Sequence, residues 1–166
     1  ELWDHIMEIG EPMGLVPGHT STIRRIEGGM LSYQADMDYT VNPFELGLGR
    51  LVDLEMDANF IGKEALKKIK SEGVKRHQVG IEISCTPLKH PNTSYWPIMV
   101  GSEEVGYITS AVYSPRLDKN IALAMMDVNH SAIDTAAETT TPEGNFPIKV
   151  VQKPFYDPKK KITSGS

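Results

Sequence analysis

The chain contains one cysteine, Cys85, in 166 residues. That excludes an internal disulfide and a cysteine-based zinc site, and it points to a reducing compartment, read here as the cytoplasm. No apolar run approaches the roughly 20 residues needed to span a bilayer, so no membrane partner is expected. Basic residues are in deficit. Lys and Arg number 17 against 22 Asp and Glu, for a net charge of −5. Phosphate binding needs a basic face, so nucleic acid is not expected as a partner. No G-x-G-x-x-G follows a strand, and no Walker A pattern occurs. His5, His19, His77, His90 and His130 are scattered without metal-ligand spacing and read as surface or capped residues. Ser110 and Ser114 lack a nucleophile-elbow pattern.

Hydrophobic residues make up 40% of the chain and charged residues 23%, enough apolar material for a core. Glu1 to Met7 reads as an amphipathic helix already in progress, ended by Gly10, with no signal peptide before it. The missing initiator Met fits a chain that begins inside a larger reading frame. Thr20 or Ser21 can cap a short helix carrying Ile23, Ile26 and Glu27, which Gly28-Gly29 would end. Pro43 suits the first turn of a short helix through Leu46, and Leu51 to Leu54 reads as a short strand. Residues 63–70 carry the clearest helical pattern, with Ile61, Ala65, Leu66 and Ile69 as its stripe and Gly73 as its stop. Strand patterns then recur at 79–83, 96–100, 105–114, 121–128 and 146–151, with no helices between them. That rhythm indicates a small antiparallel barrel or sandwich. Gly80, Gly101 and Gly106 read as turn or bulge positions. The ending, 159–166, reads as a solvated, flexible tail.

The segment richest in chemical information is Arg25-Ile26-Glu27-Gly28-Gly29-Met30-Leu31-Ser32-Tyr33, followed by Asn42-Pro43-Phe44-Glu45-Leu46-Gly47-Leu48-Gly49. Glycine has no side chain to block a ligand, so a carboxylate beside Gly28 and Gly29 can be approached closely. A carboxylate is also the natural acceptor for paired N–H donors. The plainer alternative is a helix-surface carboxylate paired with Arg24 or Arg25.

These two runs resemble the glycine-cleavage T-protein (aminomethyltransferase) family. The first is similar to the family's R-L-E-A-G-L-x-x-Y run and the second to T-P-x-E-A-G-L-G. Asn59 to Leu66 resembles D-F-I-G-K-E-A-L. Tyr107 to Ser110 with Ser114 to Ala122 resembles G-x-V-T-S-G-x-x-S-P-x-L-x-K-N-I-A, and Lys153 to Tyr156 the K-x-P-F region. Five runs in family order span almost the whole chain. The resemblance implies an α+β chain: a C-terminal antiparallel β-barrel preceded by the end of an α+β folate-binding domain. It covers only the family's C-terminal half. The implied boundaries are 1–54 for the folate-binding part, 55–74 for a connecting helix, 75–158 for the barrel and 159–166 for the tail.

The resemblance further implies a tetrahydrofolate-dependent methyl or aminomethyl transferase acting on a small one-carbon donor. Glu27 would hold the pterin's 2-amino and N3–H edge, Tyr33 would pack near the ring, and Arg116 would meet the cofactor from the barrel. Lys119 and Lys159 to Lys161 are further candidates for the glutamate tail. The catalytic acid would lie on the family's N-terminal half, so this chain alone is expected to be inactive. Its uncovered apolar residues are expected to promote self-association. Arg116, Gly28-Gly29, Asp36-Met37 and the lysine-rich ending lean towards dimethylsulfoniopropionate demethylase-like members. Alternatives are the glycine-cleavage enzyme itself, the folate-binding tail of a dimethylglycine- or sarcosine-oxidising flavoenzyme, and a non-catalytic barrel.

Overall fold

The computed structural model describes all residues except His19, Lys160, Gly165 and Ser166, together with the side chains of Thr163 and Ser164. From Arg76 onward the chain alternates between inward and outward side chains. It forms β1 (Arg76–Ile83), β2 (Trp96–Val100), β3 (Glu103–Ser114), β4 (Lys119–Asp127), β5 (Ala136–Thr141) and β6 (Gly144–Val151). The strands close into an antiparallel barrel in the order β1-β4-β3-β2-β5-β6, with β6 returning to β1. Val79, Ile81 and Ile83 of β1 point inward and meet Ile108, Ala124 and Met126 in the main core. Closure removes free sheet edges and leaves both faces of β3 and β4 available for burial.

The outer face of β3 and β4 is the part that matters for the site. Val112, Ile121 and Leu123 point outward there and are buried under Ile26 of α2 (Thr22–Glu27). Ser21 caps α2, its Oγ accepting the Arg24 N–H at 3.3 Å. Gly28 follows as the C-cap, and Gly29 takes φ +63°, a left-handed conformation that glycine adopts without steric cost. Glu45 ties the next loop to the barrel. Its carboxylate accepts Arg76 Nε at 2.8 Å and the Asn42 N–H at 2.9 Å, and its carbonyl accepts Gln78 N–H at 2.8 Å.

Several local expectations need correction. Residues 43–46 form turns rather than a helix. The Asn42 side chain takes the Phe44 and Glu45 N–H groups and so offers the backbone an alternative to helical pairing. Residues 51–54 are not a strand. A 3₁₀ turn, Gly49–Leu51, runs into a loop in which Asp53 accepts the Glu55 and Met56 N–H groups. Helix α3 (Lys63–Glu72) forms and stops at Gly73, yet it buries no residue and Ile61 is fully exposed. Strand β5 escaped the sequence reading. Gly80 is not a turn: it lies mid-strand beneath Phe155, where a Cβ would meet the ring at 3.1 Å. The tail carries one helical turn, α4 (Lys161–Ser164), capped by Asp157.

Helix α1 (Leu2–Gly10) has no buried residue. Leu2, Trp3, Ile6 and Ile9 are all exposed. No helix among the described residues is long and apolar enough to cross a membrane.

Candidate functional site

Two carboxylates are buried between the N-terminal segment and the outer barrel face, and they differ in how far their acceptor capacity is filled. Asp36 is saturated. Its Oδ2 accepts Arg25 Nη1 at 2.5 Å and the Ser32 N–H at 2.9 Å. Its Oδ1 accepts the Thr109 hydroxyl at 2.7 Å and the Ser110 hydroxyl at 2.6 Å. Adjacent strand residues normally face opposite sides. The register of β3 against β4 shifts between Ile108 and Ser110, and this bulge at Thr109 lets both hydroxyls reach one oxygen. Tyr95 fastens the same loop, donating its hydroxyl to the Ala35 carbonyl at 3.0 Å and stacking on Tyr107.

Glu27 is filled only in part. It ends α2 and is 4% exposed. The Ser114 hydroxyl donates to its Oε1 at 2.5 Å. The Leu117 N–H occupies the Ser114 oxygen as acceptor, which directs the hydroxyl proton to Glu27. Arg116 Nη1 stands 3.9 Å from Oε2, its guanidinium lying over the Tyr156 ring at 4.2 Å from the centroid. A carboxylate offers about four lone-pair sites. Among the described residues one hydrogen bond and one longer ion pair reach Glu27, so it keeps capacity for further N–H donors. The backbone fixes its place: the Glu27 carbonyl accepts the Phe155 and Tyr156 N–H groups at 2.9 and 3.1 Å.

The structure therefore brings Glu27 and Arg116 together. It also replaces the partner expected from sequence, because Arg25 binds Asp36 while Glu27 faces Arg116. Tyr33 is 62% exposed, in an isolated bridge with Met37. Lys119 is already paired with Glu82 at 2.8 Å. Lys159 and Lys161 are exposed, and Lys160 lies outside the described residues, as do His19 and the last two tail residues. No cluster of three or more metal-ligating side chains occurs among the described residues.

Residues 1–56 match the model described as the GCVT N-terminal domain, and residues 76–157 match the glycine cleavage T-protein C-terminal barrel domain. The chain belongs to the glycine-cleavage T-protein family. An aminomethyltransferase of Symbiobacterium thermophilum is 39% identical over 158 residues, covering 93% of this chain and 41% of that protein. One from Bacillus pumilus is 36% identical, covering 93% of this chain and 42% of its own length. The chain thus spans about two fifths of these T-protein relatives. The crystal structure of glycine cleavage system aminomethyltransferase T from Bartonella henselae superposes with a TM-score of 0.73 at 20% identity, over 82% of this chain and 38% of that one. That likeness shows a shared T-protein fold.

A second cavity wall was not read from sequence. Gly28, Gly29, Leu31, Leu46, Leu48 and Lys153 line a space of about 690 Å³, which Glu27 itself does not line. Burial lowers the Lys153 ammonium to about 8 from its ordinary 10.5, against a smaller opposing pull from Asp36. Between about pH 8 and 10.5 the unfolded chain holds this proton and the folded chain has lost it. The Lys153 contribution to unfolding free energy should therefore rise with pH across that window and level off above it. Urea denaturation at several pH values, compared with Lys153→Met, reads this directly. A parallel pH dependence in the variant would remove Lys153 as the cause.

Proposed function

We propose that this chain forms the C-terminal part of a tetrahydrofolate-dependent one-carbon transferase in which Glu27 receives the pterin edge. The observation that carries the reading is the unfilled acceptor capacity of Glu27, buried and rigidly held beside Gly28 and Gly29. A planar carboxylate pairs with two N–H donors in one plane, the pattern that the pterin's 2-amino and N3–H groups present. Tetrahydrofolate supplies the acceptor nitrogen for the one-carbon unit. The chain's own residues bind and orient. Ser114 and the Phe155-Tyr156 backbone hold Glu27 in place, and Arg116 guards its open side. Tyr33, exposed in this chain, is assigned the ring's outer face.

The relatives support an aminomethyl donor rather than the sulfonium donor suggested by sequence detail, since those described above are aminomethyltransferases. The donor site and the catalytic acid are assigned to sequence outside this chain, so the chain alone should not turn over either donor. A cytoplasmic setting fits the free Cys85. Self-association through the exposed face of α1 is part of the same proposal.

Glu27→Gln keeps an oxygen to accept the Ser114 hydroxyl and removes the charge. It should weaken binding of a stable reduced folate, 5-formyltetrahydrofolate, by about 1–3 kcal/mol. Folding should change little. Calorimetric titration of both proteins checks this, and equal affinities would return Glu27 to a structural role.

A further inference from the structure

Lys153 brings an amine with no partner to the wall of the cavity it shares with Leu46 and Leu48. It is half-buried, and among the described residues no hydrogen bond or ion pair reaches it. Asp36 pulls on it only through space, because Arg25, Ser32, Thr109 and Ser110 already occupy the two Asp36 oxygens. The Lys153 stem lies along Gly29, whose Cβ position would fall 3.7 Å from the Lys153 Cβ and 3.9 Å from its Cδ. Two residues on, the Phe155 and Tyr156 N–H groups are tied to the Glu27 carbonyl, so the backbone that carries the amine is fixed. The surrounding wall is mostly apolar, with Leu31, Leu46, Leu48 and Pro154. Exposed Arg50 is the other charged side chain on the lining, and it offers no acceptor for the Lys153 proton. Apolar surroundings favour the neutral amine over the ammonium, and a neutral lysine amine is a nucleophile. Burial accordingly brings the Lys153 proton down to about 8 from 10.5.

We propose that Lys153 is a covalent capture site for a small aldehyde with an apolar body, held in this cavity as an imine. The Nζ lone pair attacks the carbonyl carbon and forms the C–N bond, while the carbonyl π pair moves to oxygen. Transfer of one N–H proton to that oxygen gives a carbinolamine. Loss of its hydroxyl with the second N–H proton releases water and leaves C=N. Amine and aldehyde become imine and water, and nothing is oxidised or reduced. The leucines and Pro154 receive the aldehyde's body. A space of about 690 Å³ lies within the range that holds small organic ligands. Glu27 is not on this lining, so the site is separate from the pterin-edge reading.

The test treats the full, folded chain at neutral pH with benzaldehyde and sodium cyanoborohydride, which reduces any imine to a stable benzylamine. Peptide mass spectrometry then reads the rate at each lysine. Lys153 should be benzylated about tenfold or more faster than Lys89, which is exposed in the loop after β1. At neutral pH about one Lys153 in ten is neutral, against roughly one ordinary lysine in a few thousand, and the lower basicity gives back part of that ratio. The ratio should shrink as pH rises from about 8 towards 10, where ordinary exposed amines lose their protons too. Glycolaldehyde, which lacks an apolar body, should give a smaller ratio than benzaldehyde. In urea concentrated enough to unfold the chain, the two lysines should react alike. A Lys153 rate no greater than that of Lys89 in the folded chain would overturn the proposal. A ratio unchanged in urea would overturn it too, since the preference would then belong to local sequence. Equal ratios for the two aldehydes would likewise overturn it, since the apolar wall would play no part. Glu27 is read separately, by titration with 5-formyltetrahydrofolate, so either site can fail without the other.

Discussion

Asp36→Ala should cost about 3–5 kcal/mol of unfolding free energy, the range for breaking a buried pair and leaving its partner charged. Asp36 has no exposed side-chain surface, and Arg25 is only about one-fifth exposed. Removing the carboxylate leaves the guanidinium facing two hydroxyls, with the Met30 carbonyl and the Ser110 oxygen as its remaining acceptors. Thr109 keeps one alternative, the Leu123 carbonyl at 3.0 Å, while Ser110 loses its acceptor. The Ser32 N–H is freed as well. Asp36→Asn should cost less, because one amide oxygen still accepts, though its NH₂ then faces a donor. Urea denaturation of both variants measures the difference. A cost below about 1 kcal/mol for Asp36→Ala, the value of an ordinary surface pair, would show that the network adds no net stability.

Ile26→Ala should be the second large loss, about 2–5 kcal/mol, as expected for deleting a fully buried branched side chain. Ile26 is 0% exposed and sits against Val112, Ile121 and Leu123. It is also the residue before Glu27, so its loss has a functional reading. With α2 loosened from the barrel, the Ser114–Glu27 hydrogen bond should weaken, and reduced-folate affinity should fall further than protein unfolding alone explains. A conservative Ile26→Val change should cost only about 0.5–1.5 kcal/mol and preserve binding. If Ile26→Ala left the barrel's melting and folate affinity both unchanged, α2 would not be the element that positions Glu27.

The barrel was largely legible in the sequence because β1 alternates at strand period, β4 is an apolar run with few polar interruptions, and turn signals separate these strands from β2, β3 and β6. Strand β5 was not, and its residues explain why. Thr139 occupies a fully buried position and satisfies its hydroxyl on the Pro97 carbonyl at 2.9 Å. A polar residue at a core position erases the alternation that marks a strand. The errors at 43–46 and 51–54 share one cause. Asn42 and Asp53 capture nearby backbone N–H groups, and such local bonds compete with regular structure.

Glu27 was visible because two glycines follow it and because its run resembles the T-protein pattern. Its partners were not, since Ser114 is 87 positions away and only the closing of the barrel brings it near. The Asp36 network was hidden for the same reason. The adjacent hydroxyls Thr109 and Ser110 were a signal in principle, but only a bulge turns both towards one oxygen. Lys153 entered the sequence reading only as the first residue of the K-x-P-F run, with no role of its own. The fold, through Gly29 and the pinned Phe155-Tyr156 segment, is what half-buries it beside the site.

The central claim is that Glu27 is a receptor for the pterin edge, and a crystal structure of this chain grown with 5-formyltetrahydrofolate tests it most directly. The expected result is the pterin in the plane of the Glu27 carboxylate, its 2-amino and N3 nitrogens each about 2.7–2.9 Å from a Glu27 oxygen, with Ser114 still donating to Oε1. A pterin ring bound elsewhere, with Glu27 still facing only Ser114 and Arg116, would contradict it.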